Sequence, residues 1–297
     1  MSYESQRKKL NGKPETLSVA GTQYAFVTGQ RGGVSSIYTS GDTFLRIGDR
    51  ERIERDLARH RQMAEAGFPL ATILSEGTSD GQSYFVESSL GDKHLGARFA
   101  EDIEQTGAIR PELFEQFVLV VEKFARAQLN TRGVGNQISG LEAGILLAKL
   151  LEEMPEHASR ITERFNQAQN KLRELPLVLT HGDCNPNNLY PEGIIDLEDS
   201  FQGPYGYDLV SAIEHINSFP DSREYEYFAK YRFTPEQKKQ FYDRLDAISV
   251  ESGLAPLSEY AEDLEFCRAV WLAVDIPQTP KLQKFRFDAL VNRFLRP

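Results

Sequence analysis

Hydrophobic residues change their rhythm near residue 90. Before it they come in short β-prone runs, and after it they recur at helical spacing. The stretch "YAFVTGQRGGVSSIYTSGDTFLRIGD" holds two such runs, one on each side of "TSGDT", and Gly41-Asp42 supplies the hairpin signal between them. In "RERIERDLARHRQMAEAGF", Ile53, Leu57, Ala64 and Phe68 fall near one helical face, and Gly67 and Pro69 stop the helix. "SYFVESSLGD" reads as a further strand that ends at Gly91.

Helical patterns dominate from there on. "PELFEQFVLVVEKFARAQL" has Pro111 near its start and a strong apolar stripe, and "LEAGILLAKLLEEM" and "HASRITERFNQAQNKLREL" each read as one helix. "TPEQKKQFYDRLDAIS" opens with a Thr cap, Pro in first position and an acid next. No internal repeat or low-complexity tract interrupts the series. The pattern predicts an α+β chain, with a small β-rich N-lobe over residues 1–90 and a larger, mostly helical C-lobe over 91–297.

Composition narrows the function classes. With 34 basic and 44 acidic side chains the net charge is −10, which argues against a nucleic-acid binder and is compatible with a cationic substrate. No apolar run reaches membrane-spanning length, and the basic N-terminus has no apolar core behind it, so neither a membrane partner nor a secretory signal is expected. Cys184 and Cys267 are the only cysteines, which makes a disulfide framework unlikely to be needed and suits a cytoplasmic protein. No Cys or His pair has zinc-ligand spacing; His60, His94, His157 and His215 are scattered and read as surface or helix-face residues.

One stretch stands apart. "LTHGDCNPNNLYPEGIIDLEDS", residues 179–200, packs eight short polar or ionisable side chains between apolar segments. Such a density is costly in a core unless something satisfies it, and a solvated loop of Asx-turns would be the plain explanation. The alternative is a metal-phosphate site. A hairpin pairing Asn188-Leu189-Tyr190 with Gly193-Ile194-Ile195 would bring Asp183, Asn188 and Asp196 to one end of its strands. Phosphoryl transfer to an alcohol uses groups of these types: a carboxylate to orient and deprotonate the hydroxyl, and an amide oxygen with a second carboxylate to hold Mg²⁺.

"HGDCNPNNLY" followed by "GIIDLED" resembles the catalytic and metal-binding segments of the aminoglycoside phosphotransferase and choline kinase superfamily. The resemblance implies a protein-kinase-like two-lobe fold, with the N-lobe binding nucleotide and the C-lobe carrying catalysis and the acceptor. It further implies ATP and Mg²⁺, with Asp183 as catalytic base, His181 bracing its loop, and Asn188 and Asp196 as metal ligands. Glu198 lies near the second metal position. Asp208, in "GPYGYDLV", would accept hydrogen bonds from the catalytic-loop backbone; a helix N-cap is its plainer role.

The N-terminal half resembles the same superfamily. "GGVSSIY" matches its phosphate loop, so that Gly32 and Gly33 let backbone amides approach phosphates and Ser35 and Ser36 add hydroxyl donors. Arg46 in "TFLRIGD" stands where a typical kinase has Lys, and Asp56, with Glu54 second, is its expected acidic partner. "YFVESSLG" would be the hinge, with the backbone of Glu87, Ser88 and Ser89 reading adenine. Two residues depart from the pattern: Ser36 replaces a frequent Asn, and Gln128 stands where many members carry a Leu-His pair.

These features point to an ATP-dependent transfer to a small-molecule hydroxyl. A nucleotide-binding pseudokinase without turnover is the main rival, and a metal-dependent hydrolase would need His-rich ligand clusters that the chain lacks. Acids with Tyr225, Tyr227, Phe266 and Trp271 in the C-terminal third would suit an ammonium group, as in choline-like amino alcohols or aminoglycosides. For Phe266 and Trp271 a place in the core is the better expectation.

Overall fold

The computed structural model describes residues 13–29, 35–133, 139–220, 231–274 and 280–295. Strands β1 (Thr16–Val19), β2 (Thr22–Gly29), β3 (Ser35–Ser40), β4 (Thr43–Gly48), β5 (Ile73–Ser79) and β6 (Gln82–Ser88) form one antiparallel sheet. Their spatial order is β1-β2-β3-β4-β6-β5. The hairpin at Gly41-Asp42 is present: Ser40 pairs with Thr43, and Gly41 takes a φ of 57° that favours glycine.

Alternation along the strands sorts side chains between the two faces. Val86 joins Tyr38, Leu45 and Ile47 in one apolar cluster, whereas its neighbour Phe85 packs with Ile53 and Leu57 of helix α1 (Arg50–Glu65). The buried face of α1 runs through Ile53, Leu57, His60 and Met63, and Ala64 is exposed. The sequence pattern had bypassed His60 because it counted only apolar residues.

Two compact units account for the chain. One holds residues 1–65, 69–92 and 192–195, and the other holds 66–68, 93–191 and 196–297. In the second unit, helix α2 (Leu95–Thr106) begins at His94, whose Nδ1 accepts from the Ala97 amide at 3.1 Å. Helix α3 (Pro111–Leu129) buries Phe117 between the nearly parallel rings of Phe233 and Phe241, at 5.3 and 5.4 Å between centroids. Phe117 is fully buried, so truncating it to Ala would cost about 3–5 kcal/mol.

"LEAGILLAKLLEEM" is not one helix. It splits into α4 (Ser139–Gly144) and α5 (Leu147–Glu153), with Leu146 at φ 59° between them. Gly144, the last residue of α4, lies so close to the Phe201 ring that a Cβ there would come within 2.4 Å of it. Helix α6 (Ala158–Leu172) leads to strand β7 (Leu177–Leu179); β8 (Leu189–Tyr190) and β9 (Gly193–Ile194) are a two-stranded pair. Strand β10 (Gln202–Pro204) pairs antiparallel with β7.

The C-terminal helices are α7 (Tyr207–Glu214), α8 (Pro235–Glu251), α9 (Ala261–Val274) and α10 (Pro280–Phe294). A complete capping box starts α8, with Thr234 and Gln237 satisfying each other's backbone amides. Helix α9 is buried from Asp263 to Cys267 and again over most of its last two turns, Arg268 included. Phe266 and Trp271 are core residues on it, as expected. Among the described residues no helix is long and apolar enough to cross a membrane.

Candidate active site

The polar stretch begins where β7 ends. Thr180 is held against β10 by its amide and its hydroxyl, which both donate to the Phe201 carbonyl at 2.9 and 2.8 Å. The chain then turns through Gly182 at φ 86°, where an added Cβ would lie 2.0 Å from the Asp199 carbonyl oxygen. Only glycine serves there, which gives the Gly of His-Gly-Asp a steric reason.

Beneath this turn lies Asp208, fully buried. Its Oδ2 accepts from the His181 amide at 2.7 Å and from Gln128 Nε2 at 2.7 Å, and its Oδ1 accepts from the Gly182 amide at 3.0 Å. Burial pushes its carboxyl above the usual range, and His181 with these amide donors works against the rise. Asp208 is not a helix cap; Gly206 occupies that position of α7 at φ 95°. Gln128, at the position that departs from the family pattern, is thus a second anchor of the same loop.

Above the turn, three donors converge on Asp183. Arg268 Nη2 and Asn185 Nδ2, the latter at 3.1 Å, bond its Oδ1, and Asn188 Nδ2 bonds its Oδ2 at 3.1 Å. The Asp183 amide donates to His181 Nδ1 at 3.2 Å, so the buried His181 ties the loop to itself. Burial is the largest single influence and raises the Asp183 carboxyl, but the Arg268 guanidinium, His215 and His181 together outweigh it and hold the group below its ordinary value. Cys184, buried next to it, has its thiol pushed well up by desolvation and by Asp208 and Asp183, so it is an unreactive thiol.

Arg268 is the residue that the sequence reading missed. It is 2% exposed, donates from Nη1 to the Gly182 carbonyl at 2.7 Å, and lies 4.1 Å over the Trp271 ring. The cation on Trp271 is therefore the protein's own guanidinium. A signal existed in "LEFCRAVWLAVD": a lone arginine in an apolar helix that must find a carboxylate when buried. His215, expected on a surface or a helix face, is also buried, with Nδ1 3.3 Å from Arg268 Nη2. Burial and the neighbouring Arg268 lower it to about 3, so its ring is neutral near pH 7.

Asn188 leads into β8 and Asp196 follows β9, so the pair of strands keeps both near the hairpin's open end. Because Asn188 spends its amide nitrogen on Asp183, its amide oxygen is directed away from that carboxylate. Asp196 adopts φ 68°, ψ 66° at the start of a 3-10 turn, Leu197–Asp199, that also contains Glu198. A non-glycine residue in that region carries backbone strain, a frequent companion of function. One amide oxygen and one carboxylate are hard donors of the kind Mg²⁺ takes beside phosphate and water. Among the described residues no three His, Cys, Asp or Glu side chains form a metal-binding group.

In the sheet unit, Arg46 lies opposite Phe85 in the β4–β6 register and so points to the α1 side. It is 8% exposed, and its Nη1 is 3.5 Å from Asp56 Oδ2. Asp56 also accepts from Arg52 Nε at 2.9 Å, while Glu54 pairs on the surface with Arg50 at 2.7 Å. Ser35 and Ser36 are buried on β3, and the Ser36 hydroxyl has no hydrogen-bond partner among the described residues. Gly32 and Gly33 lie outside the described residues, as do Tyr225 and Tyr227. Glu87 and Ser88 end β6, with Ser89 following, and the amides of Ser88 and Ser89 already donate to Thr72 and Asp42 carbonyls at 2.9 and 2.7 Å. Those two amides are therefore not available to adenine in this conformation.

Residues 23–245 match the phosphotransferase enzyme family. The chain belongs to that family. None of the curated proteins matches this phosphotransferase in sequence. Among solved structures, the apo form of a thermostable mutant of aminoglycoside phosphotransferase APH(4)-Ia has a TM-score of 0.54 at 14% identity, covering 91% of this chain and 94% of that one. A second structure of that thermostable protein, a ternary complex with AMP-PNP and hygromycin B, gives 0.54 at 15% identity and 99% of both chains. A choline/ethanolamine kinase family protein from Mesorhizobium loti gives 0.50 at 18% identity, covering 100% of this chain and 96% of that one. At such identities the likeness is one of fold. This phosphotransferase thus has the α+β architecture that its sequence pattern predicted and the protein-kinase-like fold that its family resemblance implied.

Proposed function

We propose that this phosphotransferase moves the γ-phosphoryl group of ATP to a hydroxyl of a small molecule, with Asp183 as the base that orients and deprotonates that hydroxyl. The observation that carries the reading is the setting of Asp183: an ionised carboxylate on a loop anchored by Asp208, bonded to Asn188 through the amide nitrogen. Asn188 and Asp196 are the residues that would hold Mg²⁺ through hard oxygens. Bound there, the ion supplies charge neutralisation for the polyphosphate. His181 and Asp208 keep the loop in register beneath the base.

Nucleotide binding is assigned to the first 90 residues, and catalysis with acceptor binding to 91–297. Arg46, oriented by Asp56, is the group for the α- and β-phosphates. AMP-PNP and hygromycin B in the complex of the similar protein support a nucleotide and a small-molecule partner here. A cationic amino alcohol or an aminoglycoside is the acceptor class we favour. Both cysteines are buried and unpaired, which suits the cytoplasm.

Asp183→Asn tests the central claim. The amide preserves shape but cannot take the proton, so turnover with any acceptor found by ADP release should fall by about 10²–10⁴-fold while ATP binding is retained. Near wild-type turnover in that variant removes Asp183 from the chemistry. Nucleotide binding by the wild-type protein, with no ADP release across amino alcohols, aminoglycosides and sugars, would instead favour a binding module without turnover.

A further inference from the structure

We infer that Arg268 is a positioning residue for phosphoryl transfer: it fixes the Asp183 carboxylate so that Oδ2, and not Oδ1, is the oxygen that receives the acceptor's proton. The inference rests on the reading of Asp183 as base.

The argument is one of lone pairs. Oδ1 of Asp183 accepts two hydrogen bonds, from Arg268 Nη2 and Asn185 Nδ2, and these fill its in-plane lone-pair directions. Among the described residues Oδ2 accepts one, from Asn188 Nδ2. A hydroxyl donor arriving at this carboxylate therefore finds its open direction on Oδ2, beside Asn188. In the transfer, the acceptor O–H proton passes to that oxygen. The acceptor oxygen forms its bond to the γ-phosphorus of the nucleoside triphosphate as the bond to the β,γ-bridging oxygen breaks, and the nucleoside diphosphate leaves with that electron pair.

Arg268 is suited to hold this arrangement because it grips the loop at two points. Nη1 bonds the Gly182 carbonyl at 2.7 Å while Nη2 bonds Asp183 Oδ1, so the planar guanidinium spans the backbone before the base and the side chain of the base itself. The guanidinium is stacked 4.1 Å from the Trp271 ring and carried on the buried helix α9, so it has little freedom to follow a rotating carboxylate. On the second side, Asn185 Nδ2 also bonds the Asp183 carbonyl at 3.1 Å, which fixes the other donor to Oδ1. A shorter or neutral side chain at 268 would leave the Asp183 carboxylate held by Asn185 and Asn188 alone, with one lone pair of Oδ1 open to compete with Oδ2 for the acceptor's proton.

The test is steady-state kinetics on Arg268→Gln and Arg268→Lys, with Asp183→Asn in parallel and thermal melting of each protein. Displacing a reacting group by about 1 Å costs on the order of 10²-fold in rate, so Arg268→Gln should lose about that much kcat while the KM for nucleotide stays unchanged. Arg268→Lys keeps the charge but cannot span both acceptors with a planar fork, and should recover only part of the loss. A folded Arg268→Gln with wild-type kcat overturns the inference, as does a loss in melting temperature with no loss in kcat. Should Arg268→Gln fail to fold, Arg268→Lys decides: reduced kcat at unchanged nucleotide KM supports the role, and wild-type kcat overturns it. Near wild-type turnover of Asp183→Asn would defeat the base reading and this inference with it, whereas an inactive Asp183→Asn beside a fully active Arg268→Gln defeats the inference alone.

Discussion

Asp208→Asn is the most informative single-atom perturbation of the loop. The amide can place its oxygen at the Oδ2 position and keep the bonds from the His181 amide and Gln128 Nε2, both 2.7 Å. Its NH₂ then faces the Gly182 amide, which now bonds Oδ1 at 3.0 Å, and two donors meet with no acceptor. The reverse orientation would strand two donors and is the worse choice. Losing one charge-assisted bond and leaving a buried N–H unsatisfied costs about 1.5–3 kcal/mol. Part of this is returned because a neutral amide is cheaper to bury than the carboxylate whose pKa is raised by burial. The expected net loss is about 2 kcal/mol, a roughly 30-fold fall in the folded-to-unfolded ratio.

Urea unfolding should show this as a lower midpoint at unchanged slope, by about 0.7 M for an m-value near 3 kcal/mol/M. Amide exchange localises the effect: Gly182 should lose protection and His181 should keep it. Asp208→Ala removes both acceptor oxygens, and with them all three bonds, and should leave little folded protein. An Asp208→Asn variant with an unchanged midpoint and unchanged Gly182 exchange would refute the account of how the loop is held.

Other expectations follow from named contacts. Arg46→Ala should weaken ATP far more than adenosine, with Arg46→Lys restoring part of the loss; it should cost little stability, because Asp56 retains Arg52. Equal losses for both ligands in a binding titration would reassign Arg46 to a structural part. Asp196→Ala should abolish the Mg²⁺ dependence of ATP binding measured by calorimetry, and unchanged metal-ATP affinity would make the residue structural. Glu265, paired with Arg293 and near Glu214, is raised from 4.5 to about 7, by burial first and then by Glu214. A carboxyl whose folded value is raised binds more protons in the folded than in the unfolded state, so it withdraws stability as pH rises from about 4.5 to about 7. Melting temperature should fall less steeply across that window in Glu265→Gln than in the wild type; identical slopes would exclude this origin.

The sequence by itself determined the elements whose signals are local. The Gly41-Asp42 hairpin, the Pro111 helix and the Thr234 cap depend on residues within a few positions of one another, and each is present. The Asp183-to-Asn188 offset is of the same kind, because the amide of Asn188 reaches back to the carboxylate within one loop. Distant partners were decided only by the tertiary structure. Nothing near "LEAGILLAKLLEEM" announces that the helix stops where Gly144 meets the Phe201 ring and that Leu146 turns left-handed. Choosing Asp56 over Glu54 for Arg46 required the strand register that turns Arg46 toward α1, since both acids lie on the same short helix. Arg268 joins Asp183 across 85 residues, and Gln128 joins Asp208 across 80. Local pattern records whether a residue is apolar or polar, but a buried charge is stable only beside its counterion, and which counterion it meets is fixed when the helices pack.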